Sequence, residues 1–247
     1  VSGVSPALEI AAAFCVFFAA FLGGVSGFGY GLVSTPLLLT LGFPLTIVVP
    51  TNLAVALLTR VSIAYRFRKY MLPRRVTGLV AGSIPGLWLG AQLLVGVDQS
   101  AIKLAAGFLI MVVAVVLARS LTAPPPRPIP AGPLAAGFAG GFLGSTTSLN
   151  GVGPVLLLAR QKTKPKSLIA DLALFFVVSN AIALALLWSK GAVAGPTVLS
   201  LLVVWLPESL LGNWIGASIG PRLPEKIFRR VTLALVFAAG AVTTLTA

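Results

Sequence analysis

The sequence predicts an all-α polytopic membrane protein made of two inverted-topology repeats. Each repeat is a broken or re-entrant helix hairpin followed by three transmembrane helices, about eight to ten membrane segments in all. Three observations carry that expectation. Of 247 residues 57% are hydrophobic and only 9% charged, with a mean hydropathy of +1.03, whereas soluble domains carry roughly 25% charged residues. The basic residues sit in short clusters between apolar runs, the pattern of loops held on one side of a membrane. Finally, apolar helices break at glycine-rich stretches in both halves of the chain, at 23–52 and 140–154. Backbone without helical hydrogen bonds is tolerated at membrane depth only where protein buries it or a wet cavity borders it, and paired breaks mark a transporter's site.

The first apolar run, 6–22, is about one membrane thickness at ~1.5 Å per residue, and glycines follow at 23, 24, 27, 29 and 31. The next run, 31–41, is shorter still. Two abbreviated pieces joined by a flexible tip read as a re-entrant hairpin. A full crossing is expected at 44–65, with Pro50, Thr51 and Asn52 in its first turns, ending in a basic loop of Arg60, Arg66, Arg68, Lys69, Arg74 and Arg75. The chain returns at 76–97, where Gly82, Gly86 and Gly90 recur every fourth residue and give one face suited to close helix contact. A third crossing at 101–117 completes the first repeat, 1–122, and the proline-rich linker 123–131 leads to the second, 132–247.

The second half echoes the first. Gly86-Leu-Trp-Leu-Gly-Ala matches Gly212-Asn-Trp-Ile-Gly-Ala at an offset of 126, Trp88 falling on Trp214. The hairpin is expected within 132–159, and the crossings at 167–188, 192–220 and 227–245. Placing every Lys and Arg except Lys103 and Lys190 in the cytoplasm requires the second hairpin to enter from inside and the first from outside, so that the halves are inverted copies.

Composition also excludes function classes. The net charge of +13 belongs to loops between apolar helices and not to a soluble basic domain, so nucleic acid is not an expected partner; the lipid bilayer and a small anionic substrate are. There is no histidine and one cysteine, Cys15, which rules out an internal disulfide and removes the commonest general base and metal ligand. Five carboxylates remain: Glu9, Asp98, Asp171, Glu208 and Glu225. No metal, cofactor or catalytic residue is expected. No basic segment precedes the first apolar run, so no cleavable leader is expected.

Several stretches are similar to the TauE/SafE family of sulfite and organosulfonate transporters. Gly27-Phe-Gly-Tyr-Gly31, four residues, then Pro36-Leu-Leu resembles that family's first signature, with Tyr30 in place of a glycine; Thr51-Asn52-Leu53 fits as well. Gly151-Val-Gly153-Pro154 resembles its second signature, with departures at Asn150 and Val155, and Gly86 to Ala91 its small-residue motif. The resemblance implies passage of sulfite or an organosulfonate, and a bacterial inner membrane as the setting.

Half-helix N-termini supply free amides and about half a positive charge each, enough to hold an anion that must leave again. In the first half one is expected near Gly29, Tyr30 and Gly31, with Ser26, Ser34 and Thr35 as hydroxyl donors; in the second near Asn150, Gly151 and Gly153, with Ser145, Thr146, Thr147 and Ser148 beside it. Thr51 with Asn52, and Ser179 with Asn180, offer to close the cage from the following helices. Each of these has a packing alternative: glycines bring helices together, hydroxyls bond their own helix, and amides bond neighbouring helices. Glu208, mid-helix after Pro207, is the candidate proton carrier or else a protonated structural carboxyl bonded to Asn213, and Asp171 is expected to meet Lys164, Lys166 or its own helix dipole. The leading expectation is a secondary transporter working by alternating access, with a passive anion channel, a membrane scaffold and an intramembrane enzyme as alternatives. No nucleotide-binding Gly-x4-Gly-Lys-Ser/Thr loop is present, so ATP drive would need another subunit.

Overall fold

The computed structural model describes residues 6–96 and 131–224, with single helical residues at 101, 104, 108, 227, 230, 234 and 237. The described residues form eight α-helices: α1 (Pro6–Ser26), α2 (Gly29–Thr40), α3 (Leu45–Phe67), α4 (Pro73–Gly96), α5 (Gly132–Thr147), α6 (Val152–Arg160), α7 (Pro165–Ser189) and α8 (Gly195–Ile219). The crossings expected at 101–117 and 227–245 and the linker at 123–131 fall almost wholly outside the described residues.

Among the described residues, five helical stretches are long and apolar enough to cross a membrane: Ala7–Ser26, Leu45–Tyr70, Pro73–Gly96, Pro165–Ser189 and Gly195–Arg222. By contrast α2 and α6 have 12 and 9 residues, about 18 and 14 Å at 1.5 Å per residue, against roughly 30 Å of hydrocarbon. They are the short second arms of two hairpins, α1–α2 and α5–α6. The first arm runs past the expected end at 22, to Ser26, and the second starts at Gly29, where a helix N-terminus was expected. Helix α1 continues through Gly23 and Gly24, because a side chain at Gly24 would meet the backbone of Asn213 and Ala217 in α8; those glycines serve close packing. The turn itself is made by Gly27, at φ 87, which an L side chain adopts only with strain. At the second tip Ser148 takes the left-handed position, φ 58, and the Leu149 N–H closes the end of α5 on Leu143 O (3.1 Å).

The matched glycines determine how the helices pair. A Cβ at Gly82, Gly86 or Gly90 of α4 would run into Leu134, Phe138 or Phe142 of α5. One at Gly212, Gly216 or Gly220 would run into Phe17, Phe21 or Val25 of α1. Numbers rise together along both pairs, so α4 runs parallel to α5 and α8 parallel to α1. Trp88 and Trp214, at the centre of the matched motifs, are both exposed. So are Ile10, Phe14 and Phe18 on α1 and Leu199, Val203 and Leu211 on α8, apolar stripes that a lipid environment accommodates.

Helices α3 and α7 pack on each other at the centre. The chain's basic ends meet at one end of the bundle. Arg66 Nη1 donates to Ser218 Oγ (3.1 Å) near the end of α8, and the Lys166 ammonium lies 5.4 Å from the Tyr70 ring centroid. Asp171 departs from expectation. Fully buried, it accepts from Arg75 Nη1 and from the Leu72 N–H, both at 2.8 Å, and bonds neither Lys164 nor Lys166. It faces across to α4 and serves that helix as a borrowed N-terminal cap, because Leu72 immediately precedes α4 and its amide lacks an intrahelical partner. Since α8 arrives at the basic end and α4 departs from it, α1 runs toward that end and α5 away from it.

Candidate functional site

The two hairpin tips meet each other and the middle of α3. Thr35 Oγ1 on α2 donates to Thr147 O (3.0 Å) and lies 2.6 Å from Ser148 Oγ at the second tip. Asn52 of α3 gathers the cluster: its Nδ2 donates to Thr35 Oγ1 (3.1 Å) and Ser148 Oγ (3.3 Å), and its Oδ1 accepts from the Tyr30 hydroxyl (3.0 Å). Gly31 lets α2 approach here, since a side chain there would strike Ser148 O. Beside this network, Asn150 Nδ2 donates to Asn180 Oδ1 on α7.

A small, partly enclosed pocket adjoins these groups. Phe28, Tyr30 and Gly31 line it from the first hairpin, Ser148 and Asn150 from the second, Asn52, Leu53, Ala56 and Arg60 from α3, and Phe176 from α7. Arg60 was expected in the basic loop, but it lies inside α3, six residues and about 9 Å along the axis from Arg66. It is 2% exposed. Its Nη2 donates to Gly23 O (3.1 Å), its guanidinium carbon stands 5.7 Å from the Phe176 ring centroid, and Nη1 has no hydrogen-bond partner. The ion pair found among the described residues, Arg75 with Asp171, leaves Arg60 without a carboxylate. Two distant features hold the charge in place, the Gly23 carbonyl at the end of α1 and the face of Phe176.

Other expected residues have different employment. Ser26 Oγ accepts from the Gly29 N–H (3.1 Å) and Phe28 N–H (3.4 Å) and donates to Leu22 O (2.8 Å), so it caps α2 and takes up the first amides of that N-terminus. Thr51 and Thr147 donate to Ile47 O (2.8 Å) and Leu143 O (2.9 Å) within their own helices. Ser145 and Thr146 do likewise, to Gly141 O and Phe142 O, and Ser145 also donates to Leu87 O. Ser179 is buried without a partner, and Ser34 is buried near the Tyr30 hydroxyl. Gly153 brings α6 against Ala136 and Gly140 of α5, and Gly151 sits between Phe28 and Phe176. Glu208 does not line the pocket. It is half-buried on α8, its Oε2 has no partner, and Asn213 donates instead to Thr59 O (3.4 Å). The next residue, Ser209, adjoins Tyr30. Among the described residues no three His, Cys, Asp or Glu side chains group as a metal site.

Of the pocket residues, Phe28, Leu53, Ala56, Arg60 and Phe176 were not among the expected site residues, and Arg60 is the one that brings a charge. One signal was available: Arg60 stands within Leu57-Leu-Thr-Arg-Val-Ser, nearly two turns before the next cation, too deep for an interfacial loop. A second lies in helix register. Arg60 stands as far into α3 as Asn180 does into α7, a register that Asn52 does not share.

A family model described as Sulfite exporter TauE/SafE matches residues 12–243. No curated protein and no solved structure matches the chain.

Proposed function

The chain belongs to the sulfite exporter TauE/SafE family, and from that premise we propose that it is a secondary transporter that moves sulfite or an organosulfonate by alternating access between two inverted repeats. The observation that carries this reading is the pocket where the two hairpin tips meet, bordered by donors from both halves. Irregular backbone at membrane depth has its reason there. The opposite courses of α1 and α5, and the same glycine contacts in the α4–α5 and α8–α1 pairs, support repeats at 1–122 and 132–247. The gathering of basic residues at one end supports a cytoplasmic face there, in a bacterial inner membrane.

Purified protein in liposomes loaded with labelled sulfite tests the proposal. A carrier shows saturable flux that unlabelled sulfite or a sulfonate on the opposite side accelerates by exchange. Flux that stays proportional to the gradient belongs to a channel, and the absence of sulfur-anion flux overturns the reading.

A further inference from the structure

Arg60 is expensive where it stands. A guanidinium stays ionised in a protein, and an ionised group at membrane depth without a counter-charge is strongly disfavoured unless a partner arrives. Among the described residues one carbonyl and one aromatic face hold it, Arg60 lines the pocket, and its buried Nη1 has no hydrogen-bond partner. Asn180, at the same register of α7, is neutral, and Nδ2 of that amide is also a buried donor without a partner. The pair therefore offers N–H donors from both central helices but only one full charge.

We propose that Arg60 Nη1 anchors the –SO3 group of the substrate and that the site accepts one negative charge: hydrogensulfite or a sulfonate, in preference to a dianion. The inference rests on the transporter reading above and specifies its ligand. A monoanion neutralises Arg60 and leaves the buried site near zero charge. A dianion leaves one negative charge over, which the partial charges of the helix termini only partly offset, since Ser26 already occupies the first amides of α2. Among the described residues, the ionisable groups on the elements packed against α3 are Tyr30, Asp171, Glu208, Arg74, Arg75 and Lys166 and, in the turn that follows α3, Arg68, Lys69 and Tyr70; of these only Tyr30 lines the pocket, and Asp171 is engaged by Arg75.

Thermal stabilisation of the detergent-purified full chain by methanesulfonate, sulfite and sulfate measures the preference, because a ligand of the folded state raises its apparent stability by mass action. Methanesulfonate should stabilise equally at every pH within the protein's stable range. The shift from sulfite should fade as pH rises through the range where hydrogensulfite loses its proton, and sulfate should do little. This arm needs no variant. In the second arm, Arg60→Gln should weaken methanesulfonate binding roughly 10- to 100-fold, the loss of a charge-assisted hydrogen bond, with Arg60→Lys intermediate. A sulfite shift that grows with pH, or an Arg60→Gln protein that binds methanesulfonate within about twofold of the original, overturns the inference, while saturable sulfite flux in liposomes keeps the transporter reading. No stabilisation by any of the three, together with no flux, overturns both.

Discussion

Tyr30 shows how one hydroxyl governs the cluster between the hairpin tips. Its O–H is the donor that satisfies Asn52 Oδ1, and Asn52 in turn holds Thr35 and Ser148. Tyr30→Phe keeps the ring and removes only that donor, leaving a buried acceptor unpaired, so a loss of about 1–3 kcal/mol is expected in thermal or denaturant unfolding. A variant as stable as the original would mean that water reaches Asn52 and that the cluster is wetter than its burial indicates. Individual residues were legible in the sequence to different degrees. Asn52 and Asn180 stood out because an amide at membrane depth must find partners. Whether a hydroxyl bonds its own helix or a neighbour is decided by packing: adjacent residues Thr51 and Asn52 face different surroundings, and only Asn52 reaches across. Arg60 was hidden for the same reason, because what keeps it buried are Gly23 O and Phe176, distant in sequence.

Pairs of helices, more than single contacts, explain why small residues recur in α4 and α8. Backbone meets backbone there: a side chain at Gly86 would strike the Phe138 carbonyl and one at Gly212 the Phe17 carbonyl, neither of which can rotate away. Gly86→Val and Gly212→Val should each cost at least ~1–3 kcal/mol, the range for overpacking a close contact. The expected readout is a lower melting temperature and loss of the monodisperse species in size-exclusion chromatography. Gly96→Ala, with nothing within 4 Å of its Cβ, serves as the neutral control. If the valine variants behaved like that control, the helix pairs would have to be looser than their spacing indicates. The element boundaries that were read well, at α3, α4, α7 and α8, are those where an apolar run meets a charge or proline. The second arm starts at Gly29, where a helix N-terminus was expected, but the first arm was ended early, at 22 and not at Ser26, because glycine serves two purposes in one stretch, contact at Gly24 and turning at Gly27, and the sequence does not distinguish them.

At the scale of the whole molecule, each hairpin lies against a crossing helix of the other half, α1 on α8 and α5 on α4, with α3 and α7 between them. A carrier built this way needs a group whose charge differs between the two facing states if a proton gradient is to drive it. If the proposed transporter is proton-driven, Glu208 is the candidate for that group: it stands on α8, which packs on both α1 and α3, and its Oε2 is buried without a partner. Next to it Ser209 adjoins Tyr30, and from Tyr30 the hydrogen bonds run to Asn52 and the pocket. A carboxyl that is protonated in one facing state and ionised in the other would transmit the gradient through α8 to the first hairpin. Glu208→Gln fixes the neutral form with little change in volume. The expected outcome is retained binding of methanesulfonate and retained exchange across liposomes, with accumulation against a gradient no longer responding to an imposed pH difference. Accumulation that still follows the pH difference would remove Glu208 from coupling and leave hydrogensulfite as the carrier of its own proton. Loss of binding as well would make the carboxyl a structural support for Tyr30 and the first hairpin, since a residue that only moves protons is not needed to hold the anion at Arg60.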